Sequence, residues 1–147
     1  MFSIRALELT DLDGLLSLYR ELHPDDDPLP ERSVVEGIWR GLVSDKAQIQ
    51  LGGFVGAELA AACSATVIAN LTHRARPYAL IENVVTAAAF RRRGLGSALM
   101  RRLLDACWAR GCHKVMLMSA LTRSEIHGFY DALGFERSKQ AFVISVD

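Results

Sequence analysis

Arg91-Arg92-Arg93-Gly94-Leu95-Gly96, followed at once by a helical segment from Ser97 to Arg110, brings three guanidinium groups, two glycines and a helix start into one turn. The first N–H groups of a helix have no partner inside it and sit at the positive end of its dipole, so this junction suits an anion of the pyrophosphate type. Two nucleotide-loop spacings are not met. A Walker A loop needs Lys and then Ser or Thr after its last glycine, where this chain has Ser97 and Ala98, and a dinucleotide fingerprint needs a third glycine where Leu99 stands. The plain alternative is that both glycines only end one element and start the next.

The elements that must hold this turn can be read from periodicity. Phe2 to Leu7 reads as a strand, and Thr10-Asp11-Leu12-Asp13 offers capping side chains ahead of the stripe Leu12, Leu15, Leu16, Tyr19 and Leu22. His23 to Pro30, with three aspartates and three prolines, is expected as a loop before a second helix near Glu31 that runs through Val34, Val35, Ile38, Trp39 and Leu42. Ala47 to Gly52, Ala57 to Ala69 and Tyr78 to Thr86 read as an antiparallel meander with a turn at Gly56. Leu95, Leu99, Leu103 and Cys107 then mark a helix closed by Gly111, and Lys114 to Ser119 returns as a strand. A crossover of that length joins parallel strands. Thr122-Arg123-Ser124-Glu125 matches a capping box for a helix through Ile126, Phe129, Tyr130 and Leu133 that stops at Gly134, and Phe135 with Ala141 to Val146 supplies a last strand or strand pair.

Composition narrows the class. The 147 residues, half of them hydrophobic, can bury one core and fit a single domain over 1–147. Seventeen basic and seventeen acidic side chains cancel, so no overall field draws the chain to nucleic acid or an anionic membrane, and the arginine run is a local device. Cys63, Cys107 and Cys112 cannot all pair and lack CxxC spacing, which fits free thiols in a reducing compartment. No stretch reaches the roughly 18 apolar residues of a membrane span, so a cytoplasmic location is expected. His23, His73, His113 and His127 have no paired ligand spacing, and no metal is expected.

Val84-Val85-Thr86 and then Phe90 to Leu99, with Arg, two residues, Gly, one residue, Gly at its centre, resembles the acetyl-CoA motif of the GCN5-related N-acetyltransferases (GNAT). His127-Gly128-Phe129-Tyr130-Asp131-Ala132-Leu133-Gly134-Phe135 resembles the same family's later motif. The resemblance implies a mixed α/β (α+β) fold with a mostly antiparallel sheet, a central parallel pair splayed around the cofactor, and about four flanking helices. It also implies acetyl-CoA as cosubstrate, its pantetheine arm along Val84, Val85 and Thr86, and its pyrophosphate at the N–H groups of Arg92 to Ser97. One or two of Arg91, Arg92 and Arg93 are expected on phosphate, and the sequence does not say which.

The same resemblance makes Tyr130 the general acid. A tyrosine of reference pKa about 10 keeps its proton at neutral pH and can serve a departing thiolate of reference value about 8.5. Its position on the Ile126 and Phe129 stripe fits simple packing as well. An amine with a lysine-like pKa of about 10.4 faces a deprotonation penalty of roughly 4 to 5 kcal/mol at pH 7, so a base is needed. Glu82, in the apolar run Ala79 to Val85, is the leading candidate because a buried carboxylate is costly without work or a partner. Pairing with an arginine or facing solvent is the other reading, and His127 is the alternative base. Many family members have asparagine where this chain has Arg123, which leaves Arg123 as a cofactor contact of another kind or a solvated helix start.

The resulting expectation is an enzyme in which a primary amine of a small molecule, or a protein amine, attacks the thioester directly. A non-catalytic acyl-CoA-binding module is the competitor. The acceptor pocket is expected from the loop His23 to Glu31, the helix around Trp39, and Asn70 to Tyr78, with Asp25, Asp26 and Asp27 for a cation or Arg74 and Arg76 for an anion. A homodimer is the family's expectation, without an interface legible in the chain.

Overall fold

Two helical layers enclose one five-stranded sheet in the computed structural model, which describes residues 1–146. The strands are β1 (Phe2–Ala6), β2 (Gln48–Val55), β3 (Glu58–Ile68), β4 (Tyr78–Thr86) and β5 (Val115–Leu117), in spatial order β1-β2-β3-β4-β5. Neighbours pair antiparallel except β4 and β5, which are parallel, as the crossover requires. The helices are α1 (Leu12–Leu22), α2 (Arg32–Ser44), α3 (Thr72–Ala75), α4 (Leu95–Ala109) and α5 (Ser124–Ala132), with 3-10 turns at Leu9–Asp11 and Ala88–Phe90. The short α3 is additional to the expected four, and its His73, Arg74 and Ala75 all have positive φ. No helix among the described residues is long and apolar enough to cross a membrane.

The strand period of two sorts the core into two clusters. Ala61, Cys63 and Ala65 of β3 join Leu95, Leu99, Met100, Leu103 and Cys107 of α4, whereas Ala62 joins Leu12, Leu15, Leu18 and Trp39 from α1 and α2. Small side chains along β3 let both layers approach the sheet closely. Each fully buried leucine contributes about 1.5–3 kcal/mol of transfer free energy, so the α4 stripe is a principal anchor. Trp39 is buried in the second cluster and is not available to an acceptor, contrary to its expected pocket role.

Of the expected capping run Thr10 to Asp13, Asp11 is the N-cap residue of α1, though its side chain caps the preceding 3-10 turn rather than α1. The Asp11 carboxylate accepts from the Glu8 N–H at 2.7 Å and from both Arg5 guanidinium nitrogens, tying β1 to the entry of α1. The hydrogen bond from Arg5 holds the Asp11 carboxyl below its usual value. A depressed carboxyl stabilises the fold above the unfolded pKa near 4 and loses that contribution as pH falls through the folded value. Asp11→Asn is therefore expected to cost about 0.5–2 kcal/mol at pH 7, in the range of a lost cap. In thermal melts the gap from wild type should close below pH 4, and a gap equal at pH 3 and pH 7 would contradict this origin.

Two expectations fail in the C-terminal third. The capping box at Thr122 to Glu125 does not form: Arg123 is the N-cap of α5 and no side chain caps the helix, because Thr122 lies one residue too early. The strand expected over Ala141 to Val146 is absent, and the segment after Leu133 belongs to no helix or strand through residue 146. Backbone pairing needs an adjacent strand, and nothing in the described chain lies beside this segment to provide it. β5 is consequently the edge of the sheet and is only three residues long, where Lys114 to Ser119 was expected.

Candidate active site

The site begins at a defect in β4. Ala62 pairs with Val85 and Ser64 with Glu82, so three steps on β4 face two on β3. Asn83 takes up the extra residue at φ +54, a left-handed conformation that asparagine tolerates better than most side chains. The Ser64 hydroxyl donates to the Glu82 carbonyl at 3.1 Å and pins the near side of this bulge. Neither Asn83 nor Ser64 was singled out in the sequence, since a bulge leaves no periodic signature.

Immediately before the bulge the parallel pairing stops. β4 and β5 pair only at Ala79–Val115, Leu80–Met116 and Ile81–Leu117, after which β4 continues to Thr86 paired with β3 alone. Glu82 to Thr86 thus border an open wedge on the side away from β3. The Glu82 side chain is exposed at its mouth, and its carboxylate makes no hydrogen bond or ion pair among the described residues. The burial cost that singled it out does not operate, because β5 ends before it could cover this position. Val85 packs in the helix α1 cluster, Val84 lies partly buried on the opposite face, and Thr86 is half-buried at the strand end.

Beyond β4 the chain makes the arginine turn. The N–H groups from Arg92 through Ser97 have no hydrogen-bond partner among the described residues, and the first helical bond is Ala98 N–H to Gly94 O. Gly94 has φ +79, with open space where a Cβ would project. Gly96 is needed for a different reason than phosphate access alone: a Cβ there would stand 3.2 Å from Thr86 Oγ1 and 3.7 Å from the Phe129 ring. The Leu95 side chain is buried against Gly53, so only its backbone can meet a ligand. Half-buried Ser97 completes the first turn.

The three arginines separate by environment. Arg91 Nε donates to the Thr86 carbonyl at 3.0 Å, and Arg93 lies over the Phe90 ring at 5.4 Å. Arg92, at φ +63, has neither kind of contact. The Glu21 carboxylate accepts from the Ala88 N–H at 3.0 Å, which ties the end of α1 to the approach of this turn. These contacts orient a nest of donors with nearby positive charge, which fits a pyrophosphate.

Tyr130 lies in α5, the helix that follows β5. It is half-buried, with edge contacts to Phe129 and Phe135, and it packs on the same core cluster as Val84 and Leu117. Burial raises its hydroxyl above the usual pKa, the Arg123 charge pulls it down, and the Cys63 thiol pushes it up. Tyr19, which sequence reading treated only as stripe, is raised to about 12 by burial, offset in part by a hydrogen bond with Asn83 and reinforced by the same Cys63. Cys63 stands opposite the bulge, with Tyr19 packed on the α1 side of the sheet and Tyr130 on the α4 side.

Other expected residues take structural roles. His127 Nε2 lies 2.9 Å from the Ala120 carbonyl, which can only accept, so that nitrogen carries a proton and cannot take one. Arg76 donates to the Gly111 and Cys112 carbonyls and is not free to hold an acceptor anion, whereas exposed Arg74 has no such contact among the described residues. Arg123 is exposed, 4.0 Å from Glu125. Burial raises the thiol pKa of Cys63, of Cys107 to about 11, and of Cys112, so all three are protonated at neutral pH. Asp25 and Asp26 line an open depression of about 460 Å³ with Leu22, His23 and Pro24. Among the described residues no group of three or more His, Cys, Asp or Glu converges as a metal site.

Comparison with known proteins agrees with this geometry. Glucosamine 6-phosphate N-acetyltransferase 1 of Oryza sativa subsp. japonica is 35% identical over 138 residues, covering 91% of this chain and 81% of that protein. A solved structure from Agrobacterium tumefaciens str. C58, described only provisionally as an acetyltransferase, superposes with TM-score 0.92 at 34% identity over 97% of this chain and 99% of its own. Glucosamine-6-phosphate N-acetyltransferase from Arabidopsis thaliana shares the fold, with TM-score 0.88 at 22% identity over 100% and 99% of the two chains. The sequence profile of the acetyltransferase (GNAT) family matches residues 12–135, which span the bulge, the arginine turn and Tyr130, and this chain belongs to that family as an amine N-acetyltransferase.

Proposed function

We propose that the chain transfers an acetyl group from acetyl-CoA to a primary amine of a small molecule, with donor and acceptor bound together. The observation that carries this is the wedge beyond Ile81 and Leu117, bordered by β4 backbone that β5 does not pair. Acetyl-CoA would supply an activated acyl thioester. Val84 to Thr86 would pair with its amide-bearing arm as an added strand does, and the N–H groups of Arg92 to Ser97 would hold its pyrophosphate. Arg92, free of other contacts, would add charge, while Arg91 and Arg93 mainly shape the turn.

Tyr130 would donate a hydrogen bond to the departing sulfur. Full proton transfer from a phenol of reference pKa about 10 to a thiolate of about 8.5 is uphill by about 2 kcal/mol. Burial raises the Tyr130 pKa and widens that gap, and the Arg123 charge offsets part of the rise. Glu82, exposed at the mouth, would take the ammonium proton directly or through water. A cysteine acyl-enzyme is disfavoured because the thiols are held protonated.

The relative named for glucosamine 6-phosphate makes a phosphorylated amino sugar the first acceptor to try, with Arg74 as the cation for its phosphate. The test is release of free coenzyme A from acetyl-CoA across a panel of amino sugars, polyamines, amino acids and aminoglycosides. Saturable release with at least one amine is expected, and acetyl-CoA binding without transfer to any would favour a binding module. Glu82→Gln should lower kcat roughly 100-fold at pH 7 and recover as pH rises toward the amine pKa. Parallel pH profiles for the two proteins would remove Glu82 as the base.

A further inference from the structure

Helix α1 packs on the face of the sheet opposite α4, yet a side chain from its last turn reaches the approach to the arginine turn. The Glu21 carboxylate accepts from the Ala88 N–H at 3.0 Å, across 67 positions of sequence. Ala88 opens the 3-10 turn Ala88–Phe90, and the first N–H groups of a helical turn have no partner within it. No other group among the described residues accepts from this N–H. Glu21 in turn makes no ion pair and no other side-chain hydrogen bond among the described residues.

The bond acts on a stretch of chain that is tied to itself. The Ala87 N–H donates to the Ala60 carbonyl of β3 at 2.8 Å, the Phe90 N–H closes the turn on the Ala87 carbonyl at 2.9 Å, and Arg91 Nε returns to the Thr86 carbonyl at 3.0 Å. Phe90 packs on the core and lies under the Arg93 guanidinium. A displacement at Ala88 therefore reaches Thr86 on one side and the arginine turn on the other. α1 also grips the far end of this stretch, where Tyr19 hydrogen-bonds Asn83 at the bulge. Val84, Val85 and Thr86 lie between the two attachments, with Val85 packed in the α1 cluster.

We propose that Glu21 is a positioning residue for acetyl-CoA, its carboxylate fixing the exit of β4 so that the backbone of Val84–Thr86 and the N–H groups of the arginine turn face one ligand together. Glu21 has this role only if acetyl-CoA is the donor, as proposed for the wedge. Its contribution is geometric. A carboxylate beside a cationic turn weakens the attraction for a pyrophosphate, so the electrostatic and the positioning effects of Glu21 have opposite signs, and substitution separates them.

The test is calorimetric titration of acetyl-CoA into the full chain, at a temperature where circular dichroism shows every variant folded, so that lost stability does not register as lost affinity. Glu21→Ala removes both the acceptor oxygen and the charge, whereas Glu21→Gln removes the charge and keeps an oxygen for the Ala88 N–H. Glu21→Ala is expected to bind acetyl-CoA about 5–10-fold more weakly than wild type, the modest loss suited to an exposed hydrogen bond, and Glu21→Gln to restore wild-type affinity or exceed it. In NMR spectra of the unliganded proteins, the Ala88 amide should exchange faster, and the amide shifts of Thr86 and Arg92 to Ser97 should move, in Glu21→Ala more than in Glu21→Gln. Binding by Glu21→Ala as tight as that of wild type, or binding by Glu21→Gln as weak as that of Glu21→Ala, overturns the positioning role. A wild-type protein that binds no acetyl-CoA overturns the donor reading and this role with it, a result distinct from either.

Discussion

Tyr130→Phe is expected to lower kcat roughly 10²–10⁴-fold with acetyl-CoA affinity nearly unchanged, the range associated with losing one acid–base group. The ring would remain between Phe129 and Phe135, so packing is preserved and only the hydroxyl is lost. The wild-type hydroxyl is raised above its ordinary pKa by burial, so it stays protonated through the neutral range and its ionisation causes no loss of rate below about pH 10. Steady-state kinetics with a saturating acceptor, beside calorimetric titration of acetyl-CoA, separates the two quantities. Equal turnover of the two proteins would leave Tyr130 as a packing residue only.

Leu95→Ala should have the other large effect, and chiefly on stability. Leu95 lies inside the acetyl-CoA motif, yet its side chain is 1% exposed and fills the space left by the missing Cβ of Gly53, which would stand 2.7 Å from it. Truncating a buried leucine costs about 2–5 kcal/mol, through lost transfer free energy and the residual cavity. Urea unfolding should show the midpoint fall by that amount divided by the slope, with the slope itself unchanged, since the surface exposed on unfolding hardly alters. Acetyl-CoA affinity should drop as a secondary consequence, because Leu95 anchors the helix start that presents the free N–H groups. A change below about 0.5 kcal/mol would mean that the side chain behaves as a surface residue and that the core assignment is mistaken.

These two residues show what kind of information each level carried. Both motifs were legible because they depend on local chemistry: positive φ at Gly94, a basic turn before an apolar helix, and an aromatic pair ahead of Gly134. The strand Tyr78–Thr86 and the stripe Leu95, Leu99, Leu103 and Cys107 follow from period alone, since burial on one face imposes it. The capping box at Thr122 failed because the same spacing also fits a chain that enters the helix one residue later.

Function within the site was less legible, because it depends on where pairing stops. Glu82 drew attention as a carboxylate in an apolar strand, but β5 ends at Leu117 and leaves it exposed. His127 was the alternative base, and its Nε2 is engaged by the Ala120 carbonyl. Arg76 looked like an anion ligand until it was found holding the Gly111 and Cys112 carbonyls. No pattern in the chain announces such partners, which for Arg76 lie 35 and 36 positions away.

The amino-acid sequence by itself determined the family, the order of nearly all elements and the glycine turn ahead of α4, because these rest on interactions among residues close in the chain. Only the tertiary structure decided that an extra residue at Asn83 opens β4, that Arg91 and Arg93 are engaged while Arg92 is not, and that the apolar C-terminal segment forms no strand through residue 146. Each of these is a question of which backbone or charge lies alongside which across the fold. Hydrogen-bond pairing and burial are settled between distant segments, and a one-dimensional pattern specifies what a segment needs but not who supplies it.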